Sequence, residues 1–188
     1  MNHAAQWWEE LLHSTGGKLE LPKCFYYLMA WKFNSEGEAS LMTTDETNTT
    51  VSLRDSETGS TVHIDQLDCR TAHKTLGAYE SPSGEYKDET KRLLTKSREI
   101  AQRISCASIT QSEARTIYRS MYHPGITYSL PAGTLTRTEA EQVQGAPVKA
   151  LLCAMGYPNG MPRAVAFGPT ESGGIGLRHF FAEQGALK

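Results

Sequence analysis

Across 188 residues no two aspartates stand side by side, and no apolar run is long enough to span a bilayer. The first residues lack a charged stretch followed by an apolar one, so no secretory signal is visible. The four cysteines, Cys24, Cys69, Cys106 and Cys153, are too far apart in sequence for a zinc knuckle or a redox pair. Each reads as a small buried hydrophobe or a surface thiol, and a reducing compartment fits. No Gly-x-Ser-x-Gly elbow is present, and the glycine segment Glu171–His179 lacks the lysine and hydroxyl residue of a phosphate-binding loop. Excess positive charge is missing too: the net charge is −2, so any nucleic-acid contact requires basic residues gathered on one face.

What is there suits a globular chain, with 39% hydrophobic and 21% charged residues, enough for one domain or two small subdomains. Ala4, Trp7, Trp8, Leu11 and Leu12 fall at helical spacing and predict a helix over 4–13 that buries this stripe, ended by Gly16-Gly17. Residues 25–33 predict one strand buried on both faces, a short buried helix being the alternative that periodicity alone leaves open, and 41–50 a polar loop or linker. Alternation in 51–54 and 61–64 around Asp55–Gly59 predicts a β-hairpin. Thr75–Tyr79 reads as a further strand, and Ser81–Gly84 as a turn.

Beyond Ser81 the pattern is helical. Leu93, Ser97, Ile100, Ala101 and Ile104 predict the core face of a helix over 85–107, with basic residues over the rest. Thr110–Glu113 and Thr136–Glu139 each have the spacing of a capping box. The first helix should turn Ala114, Ile117, Tyr118 and Met121 inward and stop at Pro124-Gly125. The second should break or kink near Pro147, which would open another helix running through Met155. A dense glycine and proline tail follows, with a short helix over 179–184. The expected fold is α+β: a small antiparallel sheet and hairpin region over 1–80, then a helical bundle with a Gly/Pro-rich tail over 81–188.

His63, Asp65, Asp68, Cys69 and His73 are residue types that bind metal, but their spacing matches no metal motif. An unrecognised hydrolase or metal enzyme would need His63, Asp65 and His73 in one pocket. His13, His123 and His179 have no partner identifiable from sequence.

Three segments carry a resemblance through their order: Gly16–Tyr27, His73–Tyr79 and Arg119–Tyr128. Together they resemble the second half of a retrotransposon reverse transcriptase, the end of the palm followed by the thumb, over almost the whole chain from about Ala4. Met161–Ala164 with Gly173–Leu177 is similar to the tail of retroelements of unicellular algae in particular; docking rather than chemistry is the role expected there. The resemblance implies that Met1 is an internal position of a longer polymerase. It places Lys23 near incoming phosphates, although Pro22 departs from the asparagine or serine that usually precedes that lysine. It makes Gly77 part of a hairpin gripping the primer end, where a missing Cβ permits close approach. It lays Lys91, Arg92, Lys96, Arg98 and Arg103 of the thumb-like helix against phosphates.

Polymerisation uses metal ions held by paired carboxylates. Without adjacent aspartates the chain is expected to have no catalytic residue and no metal site of its own, with magnesium belonging only to the full-length polymerase. The expected function is a polymerase fragment that at most holds primer/template duplex or the missing palm and fingers portion, inside the cell in cytoplasm or nucleus, with no membrane role. The alternative is a non-catalytic helical module for protein interaction. In either case truncation should leave apolar surface exposed around Phe25, Tyr27 and Trp31.

Overall fold

The computed structural model describes residues 2–47 and 49–187. The fold is α+β, and its contacts divide the chain into two units: Met1–Ala72 with Ser81–Glu85, and His73–Glu80 with Tyr86–Lys188. Among the described residues no helix is long and apolar enough to cross a membrane.

The first unit opens with α1 (Asn2–Ser14). A 3-10 turn at Leu21–Lys23 leads into β1 (Phe25–Tyr27), followed by β2 (Trp31–Phe33), β3 (Ala39–Leu41), a short α2 (Thr44–Thr47), β4 (Val51–Arg54) and β5 (Thr61–Leu67). The hairpin β4–β5 forms as its alternation requires, with Leu53 opposite Val62 and Val51 opposite Ile64. The Asp55 carboxylate accepts the backbone N–H groups of Glu57 and Thr58, which shapes the loop between the strands. Strand β1 adds to β5 in parallel, giving a sheet in the order β1-β5-β4. The core is small: Leu21, Val51, Leu53 and Ile64, with Ala5, Leu19, Cys24, Tyr26 and Val62 against it.

Three expectations fail in this unit. Residues 25–33 are not one buried strand: β1 pairs with β5, whereas β2 leaves that sheet and pairs antiparallel with β3. A continuous apolar run does not reveal that its hydrogen-bonding partner changes halfway. For the same reason 41–50 is not simply loop, since β3 ends at Leu41 and α2 follows. Third, α1 lies the other way round. Trp7 is 73% exposed, Trp8 and Leu11 are exposed as well, and Glu9 is only 4% exposed. The end of β4 offers backbone polar groups that need partners. Gln6 supplies both for Arg54, accepting its N–H at 2.8 Å and donating to its carbonyl at 3.1 Å. Glu9 accepts the Ser56 N–H and hydroxyl. Polar docking of this kind sets the helix's orientation against its apolar pattern.

The second unit contains the hairpin β6 (His73–Thr75) and β7 (Ala78–Glu80), then α3 (Lys87–Cys106), α4 (Gln111–Ile117), a π-helical turn at Tyr118–Tyr122, α5 (His123–Thr127), α6 (Arg137–Ala154), α7 (Arg163–Phe167) and α8 (Phe180–Leu187). What reads as one strand at 75–79 is thus a hairpin whose tip is Leu76-Gly77. Helices α3 and α6 pack along each other. Leu93 and Ile104 of α3, Val143, Val148 and Leu151 of α6, and Tyr118, Tyr122, Ile126, Leu130 and Phe180 form one buried cluster. Both capping boxes are made, with Thr110 and Thr136 accepting from Glu113 and Glu139 backbone N–H groups and each glutamate reaching back.

The helix after Thr110 does not stop at Pro124-Gly125. Its π turn carries the ladder on: the His123 N–H bonds to the Tyr118 carbonyl five residues back, and Tyr128 returns to α spacing on Pro124. Proline has no N–H, so it sits without loss where the spacing changes. The wide turn also shifts the inward face by one residue. Tyr122 is fully buried and Met121 is 64% exposed, the reverse of the α-periodic expectation for Met121. Nor does Pro147 end a helix: α6 runs through it. The Val143 carbonyl that it cannot serve lies 3.5 Å from the Tyr122 hydroxyl.

The glycine tail is ordered by backbone pairing. Ile175 N–H bonds to Val165 O at 2.9 Å, Gly176 N–H to Gly168 O at 2.9 Å, and Leu177 N–H to Ala166 O at 3.0 Å. A Cβ on Gly174 would lie 2.2 Å from the Gly168 carbonyl oxygen, so only glycine fits.

Candidate nucleic-acid interface

Helix α3 has 20 residues, a rod of about 30 Å. Leu93, Ser97, Ala101 and Ile104 are buried along it. The basic residues then fall into two rows with the same spacing of four and then seven. Lys87, Lys91 and Arg98 form the outer row; Arg92, Lys96 and Arg103 form the row beside the core face.

Lys91, Arg92 and Lys96 line an open groove with Tyr79, Thr95, Asp88 and Glu99. Two of these cations are already engaged. Arg92 forms a two-pronged pair with the Glu89 carboxylate, which has no exposed surface. Burial on its own would raise the Glu89 pKa, but hydrogen bonds from Arg92, the Ser129 hydroxyl and the Tyr79 backbone N–H outweigh it and hold the carboxyl below its ordinary value. Lys96 donates to the Gly125 carbonyl at 2.7 Å, satisfying an acceptor near the end of α5. Burial, then the nearby Arg92 charge, lowers the Lys96 pKa, against Glu89. Lys91 is exposed and 3.5 Å from Asp88. Arg98 and Arg103 are exposed and form no ion pair among the described residues. They and Lys91 are the cations best placed to meet an external anion.

Gly77 sits at the hairpin tip with φ +97°, and Leu76 beside it has φ +48° and is 87% exposed. The Tyr128 hydroxyl donates to the Leu76 carbonyl at 2.7 Å and pins the tip. Sequence reasoning did not single out Tyr79 or Tyr128 as site residues; both lie in quoted segments, but nothing in their spacing shows that they face these groups. Lys23 ends the 3-10 turn of the first unit and is exposed.

The metal candidates are dispersed. His63 Nδ1 is 2.8 Å from the Ser52 hydroxyl, Asp68 accepts the Arg70 N–H, and the buried Cys69 thiol donates to the Leu28 carbonyl. Asp65 is exposed on the same face of β5 as His63, and His73 belongs to the other unit. Among the described residues no group of three such side chains is gathered to hold a metal ion.

No family model, no curated protein and no solved structure matches the chain.

Proposed function

We propose that this chain is a segment of a retroelement reverse transcriptase that holds primer/template nucleic acid without copying it. The observation that carries this reading is helix α3, where Lys91 and Arg98 of the outer row and Arg103 of the inner row stand exposed along one rigid rod. Cations spaced along such a rod would replace the counterions condensed on duplex phosphates and release them to solvent, giving an affinity that falls with salt. The order of the three quoted segments supplies the family; the missing Asp-Asp pair argues against metal-assisted polymerisation by these residues alone. The mixed charge of the groove, where Asp88 and Glu99 face Lys91, Arg92 and Lys96, favours weak binding.

The test is fluorescence anisotropy with a labelled RNA–DNA primer/template, at low and raised salt, beside primer extension with magnesium. Salt-sensitive binding and no incorporation are expected. Nucleotide incorporation by the 188-residue chain would overturn the reading.

One observation favours protein docking as well. The first unit exposes Trp7, Trp8 and Leu11 on α1, and Met29, Trp31 and Phe33 around β2. Exposed apolar side chains fit a missing polymerase portion, or another protein partner if the chain is an interaction module; of the three residues expected to be exposed, Trp31 is, while Phe25 and Tyr27 are half-buried. Failure to bind duplex even at low salt would leave that second reading standing and remove the first.

A further inference from the structure

A second basic site lies in the helical unit, away from α3. Arg137, Glu141, Gln144, Arg163, Phe167 and His179 line a pocket of about 220 Å³. Three elements build it. Arg137, Glu141 and Gln144 occupy one face of α6 at spacings of four and three. Arg163 and Phe167 lie one turn apart on α7, and His179 immediately precedes α8. The backbone bonds from Ile175 and Leu177 to Val165 and Ala166 bring the last two segments together.

The contacts inside are specific. The Phe167 ring meets the His179 ring edge-on at 5.1 Å, and the Arg163 guanidinium lies 5.9 Å from the Phe167 centroid. Arg137 Nε donates to Glu141 at 3.0 Å, an exposed pair that costs little to rearrange. Gln144 is buried and accepts the Phe180 N–H at 3.1 Å, which fixes its amide. Two guanidinium groups therefore share the pocket with one carboxylate. Burial lowers the His179 pKa, and Arg137 and Arg163 lower it further, against Glu141.

We propose that this pocket binds a phosphate group, with Arg137 and Arg163 taking its oxygens and the His179 ring donating a third hydrogen bond. Donors arriving from three elements suit a tetrahedral anion, whose oxygens point in several directions; a planar carboxylate is satisfied by one arginine fork. Pockets for drug-sized ligands begin at about 300 Å³, so this smaller one takes the phosphate and little of what carries it. The carrier is a phosphomonoester or a nucleic-acid backbone. The site shares no residue with α3, so it stands or falls separately from the polymerase reading.

The test follows the Arg Nε–H and His179 ring signals of the full chain by NMR. The titrants are inorganic phosphate, acetate, and a short single-stranded oligonucleotide without terminal phosphate. Saturable phosphate shifts at Arg137, Arg163 and His179 are expected, with the His179 titration moved upward on saturation. Arg137→Gln and Arg163→Gln should each weaken binding at least about tenfold, the loss of one charge-assisted contact. Both side chains are exposed, so the variants keep the parent's thermal midpoint. Lys149→Gln, elsewhere on α6, should bind as the parent does. Oligonucleotide binding with the same dependence on both arginines identifies a backbone phosphate; phosphate binding alone identifies a monoester. Absence of saturable shifts, equal binding by either arginine variant, or equal response to acetate overturns the proposal. Loss of duplex binding in an α3 variant leaves this titration unchanged.

Discussion

Gln184 and Leu135 exchange two hydrogen bonds in the interior of the helical unit. The Gln184 side-chain oxygen accepts the Leu135 N–H at 2.8 Å, and its amide nitrogen donates to the Leu135 carbonyl at 3.1 Å. Both residues are buried, so water cannot replace either bond. Gln184→Ala leaves an orphaned donor and acceptor and should cost about 2–3 kcal/mol in urea denaturation. Gln102→Ala, at an exposed position of α3, should change stability by less than about 0.5 kcal/mol. Equal effects would mean that the backbone of Leu135 finds other partners.

The Glu89–Arg92 pair sets an acid limb. Because the folded carboxyl titrates below its ordinary value, the unfolded chain takes up this proton first as pH falls. The stability due to this group is therefore full above the ordinary carboxylate range and is lost as pH drops through the folded value. Glu89→Gln should flatten that part of the stability curve. Arg92→Ala should cost about 3 kcal/mol near neutral pH, since it strands a buried carboxylate. Chemical denaturation at a series of pH values measures both.

The π turn predicts opposite outcomes at adjacent residues. Met121→Ser should be nearly neutral, within about 0.5 kcal/mol. Tyr122→Ala should cost about 3–5 kcal/mol, as large-to-small changes in a core do. Thermal unfolding of the two variants distinguishes this register from the α-periodic one.

Leu76 holds a left-handed conformation that a side chain with a Cβ adopts at a cost of about 1–2 kcal/mol. Leu76→Asn should therefore stabilise the chain by about 1 kcal/mol, since asparagine tolerates this region. Gly77→Ala should destabilise it, because φ +97° strains any Cβ. A differential-scanning measurement showing the opposite signs would place the turn elsewhere.

If α3 meets a duplex, removing its exposed cations must change the salt response. Arg98→Ala and Arg103→Ala should each lower the slope of log affinity against log salt by about one. Arg92→Ala should change the slope less, because that guanidinium is tied to Glu89.

Much of the helical unit was legible in the residues alone. Leu93, Ser97, Ala101 and Ile104 repeat at helical spacing and are the buried face of α3, and Thr110 and Thr136 cap helices through contacts only three residues long. The β4–β5 hairpin follows from alternation beside a glycine loop. That the basic residues of α3 lie off this buried stripe follows for the same local reason. The engagement of Arg92 and Lys96 was not legible, because Glu89 had first to be buried and Gly125 is 29 residues away from Lys96.

Periodicity and capping act within one or two turns, so residue order by itself determined where most helices start, which face of α3 goes inward, and that no Asp-Asp pair is present. Tertiary structure decided everything that depends on a distant partner: the split between β1 and β2, α1 turned by Gln6 and Glu9, the extra residue in the π turn, and the meeting of Arg137, Arg163 and His179. The physical reason is that a buried polar group must find its match wherever the chain happens to supply one, and that requirement overrides local pattern.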